Sequence, residues 1–405
     1  MLEKLFDSEE KISHECLEDS IHTYFKLPIT YTKHENIPES MNLDLELSKS
    51  IEDNKTFYEH VVGSDTDTSK LLLHEWAKYY TNDEQYLNNT QILLKKLKLG
   101  HRDVDINMDI LNDIYTNEEF DKKYDYISIK YCTSLNQNVI FLLLTSIYSL
   151  LSPVTFVLTP IYLLLIPILA MYKLYNHVKF KNVNSYMDGL WIVILGLSIC
   201  QMFYANKLSE KMLHLTYVVF YVLRIYLTVR GTYIFYNNIT QIQEDLSELK
   251  NYVNDYIENI EHINKTIVDN NLTSYYAFNS TVQTNKSELV KLKHRLDTIQ
   301  FPLKIYYHYK DLGNIRAIYY DLKHNMDLKK QFTYSFGMNS YMMNLYKIQD
   351  KIKRKKLNIC VYKDHTSFKD AYYGMIEKPV KNSYSLKHNY IITGPNASGK
   401  TTFIK

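Results

Sequence analysis

The sequence predicts a mainly α-helical fold that leads into the first strand and loop of an α/β domain. The 405 residues include only 10 glycines and 8 prolines, so few turns are available and long helices are favoured. A long uncharged block in the middle of the chain is followed by apolar residues that recur at steps of three and four. A glycine-rich loop motif then stands at residues 394–401, directly after a short apolar run.

Residues 1–130 are expected to form a helical N-terminal region, with helices over residues 69–80 and 84–97. This region carries no catalytic constellation. The chain has four cysteines and 14 histidines that form no cluster, which argues against a disulfide framework or a zinc site. A net charge of +2 excludes a global basic field, so contact with nucleic acid would need a local patch.

Residues 131–236 are predicted to be a transmembrane block. The 42 residues at positions 131–172 contain no Asp, Glu, Lys or Arg, which is about twice what one bilayer crossing needs. Pro153 lies near the middle of this run and predicts a tight hairpin of two spans. Pro160 and Pro167 should kink the second span.

Two further stretches complete the predicted block. Residues 189–206 are uncharged and just long enough to cross a bilayer, whereas residues 213–236 are apolar but carry Arg224 and Arg230. The block therefore holds between two and four spans, and we expect four.

The charge of the linker between the apolar blocks predicts the orientation. Lys173, Lys179 and Lys181 favour a cytosolic linker by the positive-inside tendency. With four spans, both soluble ends then lie in the cytosol or an equivalent compartment. The expected location is a membrane, with a multi-pass topology.

Residues 237–350 are expected to form coiled-coil, lever-like helices. A first seam has apolar residues at Ile239, Ile242, Leu246, Leu249, Val253, Tyr256, Ile260, Ile263 and Ile267. Residues 269–271 interrupt it, and a second seam follows at Val282, Leu289, Leu292, Leu296 and Ile299. The two seams predict an antiparallel helical hairpin. Its simplest role is mutual packing of the helices; the sharper alternative is an arm that relays nucleotide state to a partner.

Residues 351–405 are predicted to begin a P-loop ATPase domain. The loop residues that fit G-x-x-x-x-G-K-[ST] are Gly394, Pro395, Asn396, Ala397, Ser398, Gly399, Lys400 and Thr401, and Thr402 follows them. In this motif backbone N–H groups wrap a pyrophosphate, the lysine supplies a cation, and the threonine hydroxyl contacts Mg²⁺. We therefore expect ATP and Mg²⁺ as ligands, with Thr401 as the metal contact.

The surroundings of the loop fit this prediction. Residues 357–362 and 389–393 read as strands, the second of them buried and entering the loop. Residues 401–405 can open the helix whose N-terminus faces phosphate. A P-loop ATPase also needs a second acidic strand, which the given residues lack. We thus expect no hydrolysis by this chain alone, assign no catalytic residue, and interpret it as the N-terminal part of a longer ATPase.

The loop also resembles a known family. Residues 392–402 read I-T-G-P-N-A-S-G-K-T-T, similar to the T-G-P-N-x-x-G-K-[ST]-T of MutS mismatch-repair ATPases. Val380, Lys381 and Asn382 resemble the family's V-x-N segment. The order of parts, helical core and lever helices before a late P-loop, agrees as well. The resemblance implies an ATP-dependent clamp on DNA in which a homo- or heterodimer partner completes the site.

Two departures limit what the resemblance implies. There is little room for the family's mismatch-reading domain, and Pro379 stands where the family has an aromatic residue that packs on adenine. The predicted function is a membrane-tethered, ATP-binding, MutS-like protein of the DNA mismatch-repair type. The alternatives are one half of an ABC-type exporter, or a non-enzymatic helical scaffold bound to a lipid bilayer.

Overall fold

The computed structural model describes residues 17–48, 55–64, 66–97, 106–116, 124, 133–178, 207–301, 309–376, 378–396, 398–400 and 403. The chain is mainly helical over these residues, as predicted. It divides into two compact units. The first unit comprises residues 1–121, 248–298 and 321–405, and the second comprises residues 122–247 and 299–320.

The helices and strands of the described residues are numbered here in chain order. The α-helices are α1 (Leu17–Tyr24), α2 (Glu39–Asp44), α3 (Phe57–Val62), α4 (Asp67–Trp76), α5 (Glu84–Lys96), α6 (Ile106–Thr116), α7 (Val139–Val178), α8 (Leu208–Asp269), α9 (Tyr276–Thr284), α10 (Ser287–Asp297), α11 (Leu312–His324) and α12 (Met326–Lys353). The strands are β1 (Glu35–Asn36), β2 (Tyr79–Tyr80), β3 (Ser367–Ala371) and β4 (Asn382–Ser385). Strands β1 and β2 pair antiparallel, and so do β3 and β4.

Helix α12 is the centre of the first unit. Its N-cap residue Asn325 accepts hydrogen bonds from the backbone N–H groups of Asp327 and Leu328, which fixes where the helix begins. Helices α1, α3, α4, α5 and α10 pack around it. A Cβ atom at Gly337 would lie 2.5 Å from the Cβ of Phe25, so only glycine permits this approach to α12.

The first predicted seam is buried along its whole length. Every one of its nine residues, which α8 carries, is at most 3% exposed. Within the first unit, the Tyr252 hydroxyl lies 2.6 Å from the Ser335 hydroxyl and accepts a hydrogen bond from the Asn339 amide at 2.9 Å. Tyr252 stands next to the seam residue Val253, so α8 also packs against α12 here and is not confined to a two-stranded coil.

The second seam is buried too, but its helix is interrupted. The chain reverses at Asn271, whose φ is 53°, and the return path places the Asn264 and Asn279 amides 2.6 Å apart. Asn285 donates back to the Thr281 carbonyl at 2.9 Å, which ends α9. The Gln331 side chain then accepts from the Glu288 N–H at 2.8 Å and caps the start of α10.

The N-terminal helices follow the prediction, with one shift. Helix α5 agrees with the predicted 84–97 to within a residue. Helix α4 ends at Trp76 instead of residue 80, because Tyr79 and Tyr80 pair as a strand with Asn36 and Glu35.

In the second unit, the predicted hairpin at Pro153 is wrong, because the 40-residue helix α7 runs through this proline without a turn. A proline removes the N–H that would bind the carbonyl four residues earlier, here that of Ser149. This carbonyl instead accepts hydrogen bonds from the Thr232 hydroxyl at 2.8 Å and the Ser152 hydroxyl at 3.0 Å. The helix therefore keeps its backbone satisfied without a turn.

Pro160 is accommodated in the same way. It frees the Phe156 carbonyl, which accepts a hydrogen bond from the Tyr221 hydroxyl at 2.7 Å. The pairs Ser149–Thr232 and Phe156–Tyr221 show that α7 and the first part of α8 run antiparallel. The remaining predicted span at residues 189–206, with Lys179 and Lys181, lies outside the described residues.

Two described helices are long and apolar enough to cross a membrane. They are found at Val139–Thr159, with mean hydropathy 2.0, and within Leu208–Asp269, with mean hydropathy 1.6. Large apolar side chains of both helices are exposed, for example Leu144, Leu165, Leu215 and Phe220.

Helix α11 docks on the start of α7 within the second unit. A Cβ atom at Gly313 would lie 2.2 Å from the Val139 carbonyl oxygen, so the two backbones touch. One turn later, the buried Arg316 guanidinium donates to the Leu142 carbonyl at 3.1 Å and to the Ser146 hydroxyl at 2.9 Å. Such close approach of small residues is typical of tight helix crossings.

The two strands predicted near the loop are wrong. Residues 357–362 and 389–393 belong to no strand, and Ile391 is 91% exposed. A strand needs a hydrogen-bonding partner on at least one side, and the described residues offer none to these segments. The only pairing in this part of the described chain is β3 with β4, from Ser367–Ser385 to Ala371–Asn382.

Candidate functional site

The glycine-rich loop forms a tight turn that only glycine allows. Gly399 has φ +83°, a left-handed conformation that costs other residues energy. A Cβ atom at Gly394 would lie 2.7 Å from the Ser398 Oγ, so this glycine lets the two limbs of the loop approach. The Ser398 N–H points to the Pro395 carbonyl at 3.4 Å.

The residues after the loop make one hydrogen bond with the spacing of a helix. The Phe403 N–H donates to the Gly399 carbonyl at 2.9 Å, the i to i−4 bond of an α-helix. The Phe403 ring lies 4.9 Å from that of Tyr384 on β4, which itself lies 4.8 Å from Phe368 on β3. The β3–β4 hairpin thus supports the residues that follow the loop.

Lys400 folds back over its own loop. Its ammonium group donates hydrogen bonds to the carbonyl oxygens of Gly394 and, at 2.7 Å, of Pro395. The positive charge is therefore held at the mouth of the loop by neutral acceptors. An anion seated in the loop would offer stronger, charge-assisted partners to the same ammonium group.

The structure does not describe the remaining positions of the motif. Ala397, Thr401 and Thr402 lie outside the described residues, so the predicted Mg²⁺ contact of Thr401 stays a prediction. Among the described residues, no group of three His, Cys, Asp or Glu side chains could hold a metal ion. The described loop residues Pro395 and Asn396 are exposed and accessible to a ligand.

The segment of the chain that contains the loop is rich in positive charge. Residues 351–405 hold twelve lysine and arginine residues against three acidic ones, although the whole chain carries only +2. In this segment Lys356, Lys363 and Lys387 are exposed. A positive field of this kind attracts phosphate groups of a nucleotide or a nucleic acid.

Sequence reasoning missed the polar contacts that hold the apolar helix pair together. The sequence marked residues 131–236 only as an apolar block, yet Tyr221 and Thr232 satisfy carbonyls that prolines leave free. A signal was present, since each proline inside an apolar run implies one orphan carbonyl four residues earlier. The positions of the hydroxyl partners on α8 depend on the register of the pair, which the sequence does not contain.

Searches of protein families, curated proteins and solved structures found no match to this chain.

Proposed function

We propose that the protein binds a nucleoside triphosphate, ATP in the first instance, at the loop formed by residues 394–401. The observation that carries the proposal is the joint geometry of Gly399 and Lys400. A left-handed glycine opens a helical turn, and the next residue places an ammonium group at the loop mouth. Backbone N–H groups and one cation around a short turn are the donor set that phosphates require.

The proposal extends to a membrane anchor. Helix α7 and the first part of α8 contact each other through a few polar bonds, and both leave large apolar side chains exposed. Contiguous exposed apolar surface is unfavourable in water and favourable in lipid. This supports a chain that is held at a bilayer by these helices.

The MutS-like part of the proposal rests on the loop sequence and on the order of parts. The buried seam of α8, the return helices α9 and α10, and the loop late in the chain fit a lever that precedes a nucleotide site. DNA is then the expected macromolecular partner, and the excess of lysine and arginine in residues 351–405 supports a polyanion partner of this kind. A partner subunit that completes the nucleotide site is part of the same proposal.

Nucleotide binding is tested with the full chain in detergent micelles or lipid nanodiscs. A fluorescent ATP analogue is titrated with Mg²⁺ against the parent, Lys400→Ala and the control Lys387→Ala, an exposed lysine of the same unit. We expect Lys400→Ala to weaken binding by at least tenfold and Lys387→Ala to change it less than twofold. Equal affinities for all three would overturn the nucleotide proposal and favour the scaffold.

Membrane attachment is tested separately, by flotation of the full chain with phospholipid vesicles in a density gradient. We expect the protein to rise with the vesicles and to resist extraction by alkaline carbonate. Recovery of the protein at the bottom of the gradient would overturn the membrane anchor while leaving nucleotide binding untouched.

A further inference from the structure

The C-terminal ends of α5 and α12 lie side by side in the first unit, and both carry lysine residues. Helix α5 ends in Lys95 and Lys96, both exposed. The buried Gln349 side chain of α12 donates hydrogen bonds to two carbonyls at the end of α5, that of Leu94 at 2.7 Å and that of Leu97 at 2.8 Å. This amide therefore fixes the end of α12 against the end of α5, although the two are far apart in the sequence.

Lys353 extends the same junction. Its ammonium group donates to the Gln349 side-chain oxygen at 2.9 Å, so a single amide group separates this charge from the end of α5. Two further exposed lysines follow α12 directly. We call the side chains of five exposed lysines the helix-end patch: Lys95, Lys96, Lys353, Lys355 and Lys356.

Acidic residues do not neutralise the helix-end patch. Within residues 93–97 and 349–358 the only acidic residue is Asp350. The Arg354 guanidinium binds this carboxylate at 2.9 Å. Lys351 is turned away from the patch, because its ammonium group donates to the His60 carbonyl at the end of α3 at 3.2 Å. The five lysines of the patch thus keep their full positive charge toward solvent.

The backbone at the end of α12 supplies a second observation. Lys355 has a φ of 60°, and its N–H donates back to the Ile352 carbonyl at 3.0 Å. The Lys356 N–H donates to the Lys351 carbonyl at 2.8 Å, which closes the helix end. Glycine is the usual residue at such a left-handed position, because it has no Cβ atom. Strained residues of this kind cluster at functional sites, so the lysine at this position points to a role outside the fold.

The helix dipole accounts for only part of the patch. Cations in the last turn of a helix are favourable, which explains Lys95, Lys96 and Lys353. The effect falls off within that turn, and Lys355 and Lys356 lie beyond the last residue of α12. These two lysines therefore need another explanation.

The chemistry of the patch fits a phosphate backbone. Contacts from lysine to phosphate fix a protein on nucleic acid without reading its sequence. The apolar residues of the two helix ends are buried or half-buried, namely Leu93, Leu94, Leu97, Ile352 and Leu357. Insertion into a lipid surface needs exposed apolar side chains, which these residues do not offer. The patch is thus suited to a polyanion in water rather than to a bilayer.

We propose that the helix-end patch binds the phosphates of duplex DNA and that α5 and α12 both contribute to the contact. The inference rests on the DNA partner of the proposed function and names the surface that this partner occupies. The excess of lysine and arginine in residues 351–405 does not by itself include α5. Its contribution follows from the hydrogen bonds of Gln349 to the end of that helix.

The test uses the full chain in nanodiscs of phosphatidylcholine and measures the anisotropy of a labelled DNA duplex over a series of salt concentrations. Lys96→Gln and Lys355→Gly should each reduce the slope of log affinity against log salt by about 0.9, the value of one phosphate contact on B-DNA. The two changes together should weaken binding at low salt at least tenfold. The control pair Lys26→Gln and Lys33→Gln, at exposed positions of the same unit, should change it less than twofold. Equal weakening by the two pairs, or an unchanged slope in Lys96→Gln, would overturn the inference.

Lys355→Gly also separates DNA binding from folding. Glycine removes the backbone strain at this position, so the midpoint of thermal unfolding should not fall while the affinity for DNA does. A lower midpoint that accompanies the weaker binding would mean that Lys355 acts through the fold, and would overturn its role in the patch.

Labelling of lysines with an amine-reactive reagent, read by mass spectrometry, identifies what covers the patch. We expect duplex DNA to protect Lys96 and Lys353, and phosphatidylglycerol added to the nanodiscs to leave both reactive. Protection by this lipid but not by DNA would assign the patch to an anionic membrane surface and overturn the inference. If the parent chain binds no DNA, the proposed DNA partner falls together with the patch. If the parent binds DNA and the patch variants bind it equally well, only the patch is refuted.

Discussion

Tyr221 donates its phenolic hydrogen bond at 2.7 Å to the carbonyl oxygen of Phe156, the group that Pro160 deprives of its helical partner. The contact joins a defect in one helix to a side chain of its antiparallel neighbour. A buried carbonyl without a partner is costly, so this hydroxyl lets α7 continue and fixes the register of α8 beside it.

The first prediction concerns this contact. Tyr221→Phe should destabilise the helix pair by about 1 kcal/mol, the usual size of a hydrogen bond between membrane helices. In a Pro160→Ala background the Phe156 carbonyl regains an N–H donor from its own helix, so the same substitution should cost much less. Thermal unfolding of the four proteins in detergent measures the coupling, with Tyr217→Phe on the same helix as control. Equal losses in both backgrounds would show that Tyr221 acts by packing alone.

The second prediction compares two glycines of the second unit. A Cβ atom at Gly313 would meet the Val139 carbonyl at 2.2 Å, whereas one at Gly231 would meet nothing within 4 Å. Gly313→Ala should therefore destabilise the protein by about 1–3 kcal/mol through overpacking. Gly231→Ala should be neutral or stabilise it by about 0.5–1 kcal/mol, since alanine favours a helix interior. Chemical denaturation in detergent checks both, and the opposite ranking would refute this close approach of α11 to α7.

The helical periodicity could be predicted from the sequence because each apolar position reports directly on one face of one helix. All nine residues of the first seam are buried, from Ile239 to Ile267. The restart after Asn285 was not predictable in this way, because Gln331 of a distant helix caps the next segment. Pro153 failed as a turn signal for the same reason, since its cost is offset by Thr232 on α8.

The glycine-rich loop shows what local sequence spacing cannot predict. The motif predicted a helix opening at residues 401–405, and of this segment the structure describes one bond of helical spacing, from the Phe403 N–H to the Gly399 carbonyl. It failed for the strand at residues 389–393, because a strand is defined by its neighbours and none of the described residues pairs with it. Local spacing can therefore predict a turn, but it cannot supply the sheet around it.

The third prediction concerns alkaline pH. Burial raises the pKa of Tyr256, Tyr275 and Tyr341 well above the usual tyrosine value. An unfolded tyrosine ionises near pH ~10, so the stability that these neutral phenols contribute is fully present below that pH. It is lost as pH rises above it, because the unfolded chain then releases protons that the folded chain retains. Tyrosinate absorbance from these side chains should appear together with loss of helical circular dichroism.

Two tyrosine variants measure how much the buried phenols contribute to the loss of stability at alkaline pH. The Tyr256 hydroxyl is buried without a hydrogen-bond partner among the described residues, whereas the Tyr275 hydroxyl lies 2.8 Å from that of Thr90. Tyr256→Phe should keep full stability at neutral pH and reduce the alkaline slope by about 1.4 kcal/mol per pH unit. Tyr275→Phe should reduce the slope equally but lose about 1 kcal/mol at neutral pH. An unchanged slope in both would mean that these phenols ionise in the folded state.

The fourth prediction tests the basic segment that follows α12. Lys356→Glu combined with Lys363→Glu should weaken binding of a DNA duplex by at least tenfold at low salt and flatten the dependence of affinity on salt, because phosphate contacts release counterions. The control pair Lys26→Glu and Lys33→Glu changes the net charge equally at exposed positions of the same unit. Fluorescence anisotropy with labelled DNA measures both. Equal weakening by the two pairs would indicate an effect of net charge rather than a site.

The fifth prediction separates backbone strain from steric contact in the loop. A Cβ atom at Gly399 would touch nothing within 4 Å, yet its φ of +83° disfavours any other residue by roughly 1–2 kcal/mol. At Gly394 the added atom would be too close to the Ser398 hydroxyl, at 2.7 Å, while the Ser398 Cβ at 3.6 Å and the Lys400 Cδ at 3.9 Å are at ordinary contact distance; a serine side chain can rotate away. Gly399→Ala should therefore reorient the peptide before Lys400 and reduce ATP-analogue affinity at least tenfold, whereas Gly394→Ala should reduce that affinity less.

Combining Gly394→Ala with Ser398→Ala should restore most of the affinity that Gly394→Ala loses, because the clash is then absent. Unchanged thermal unfolding would show that the effects are local, and a larger loss from Gly394→Ala would mean that contact rather than backbone conformation governs the loop.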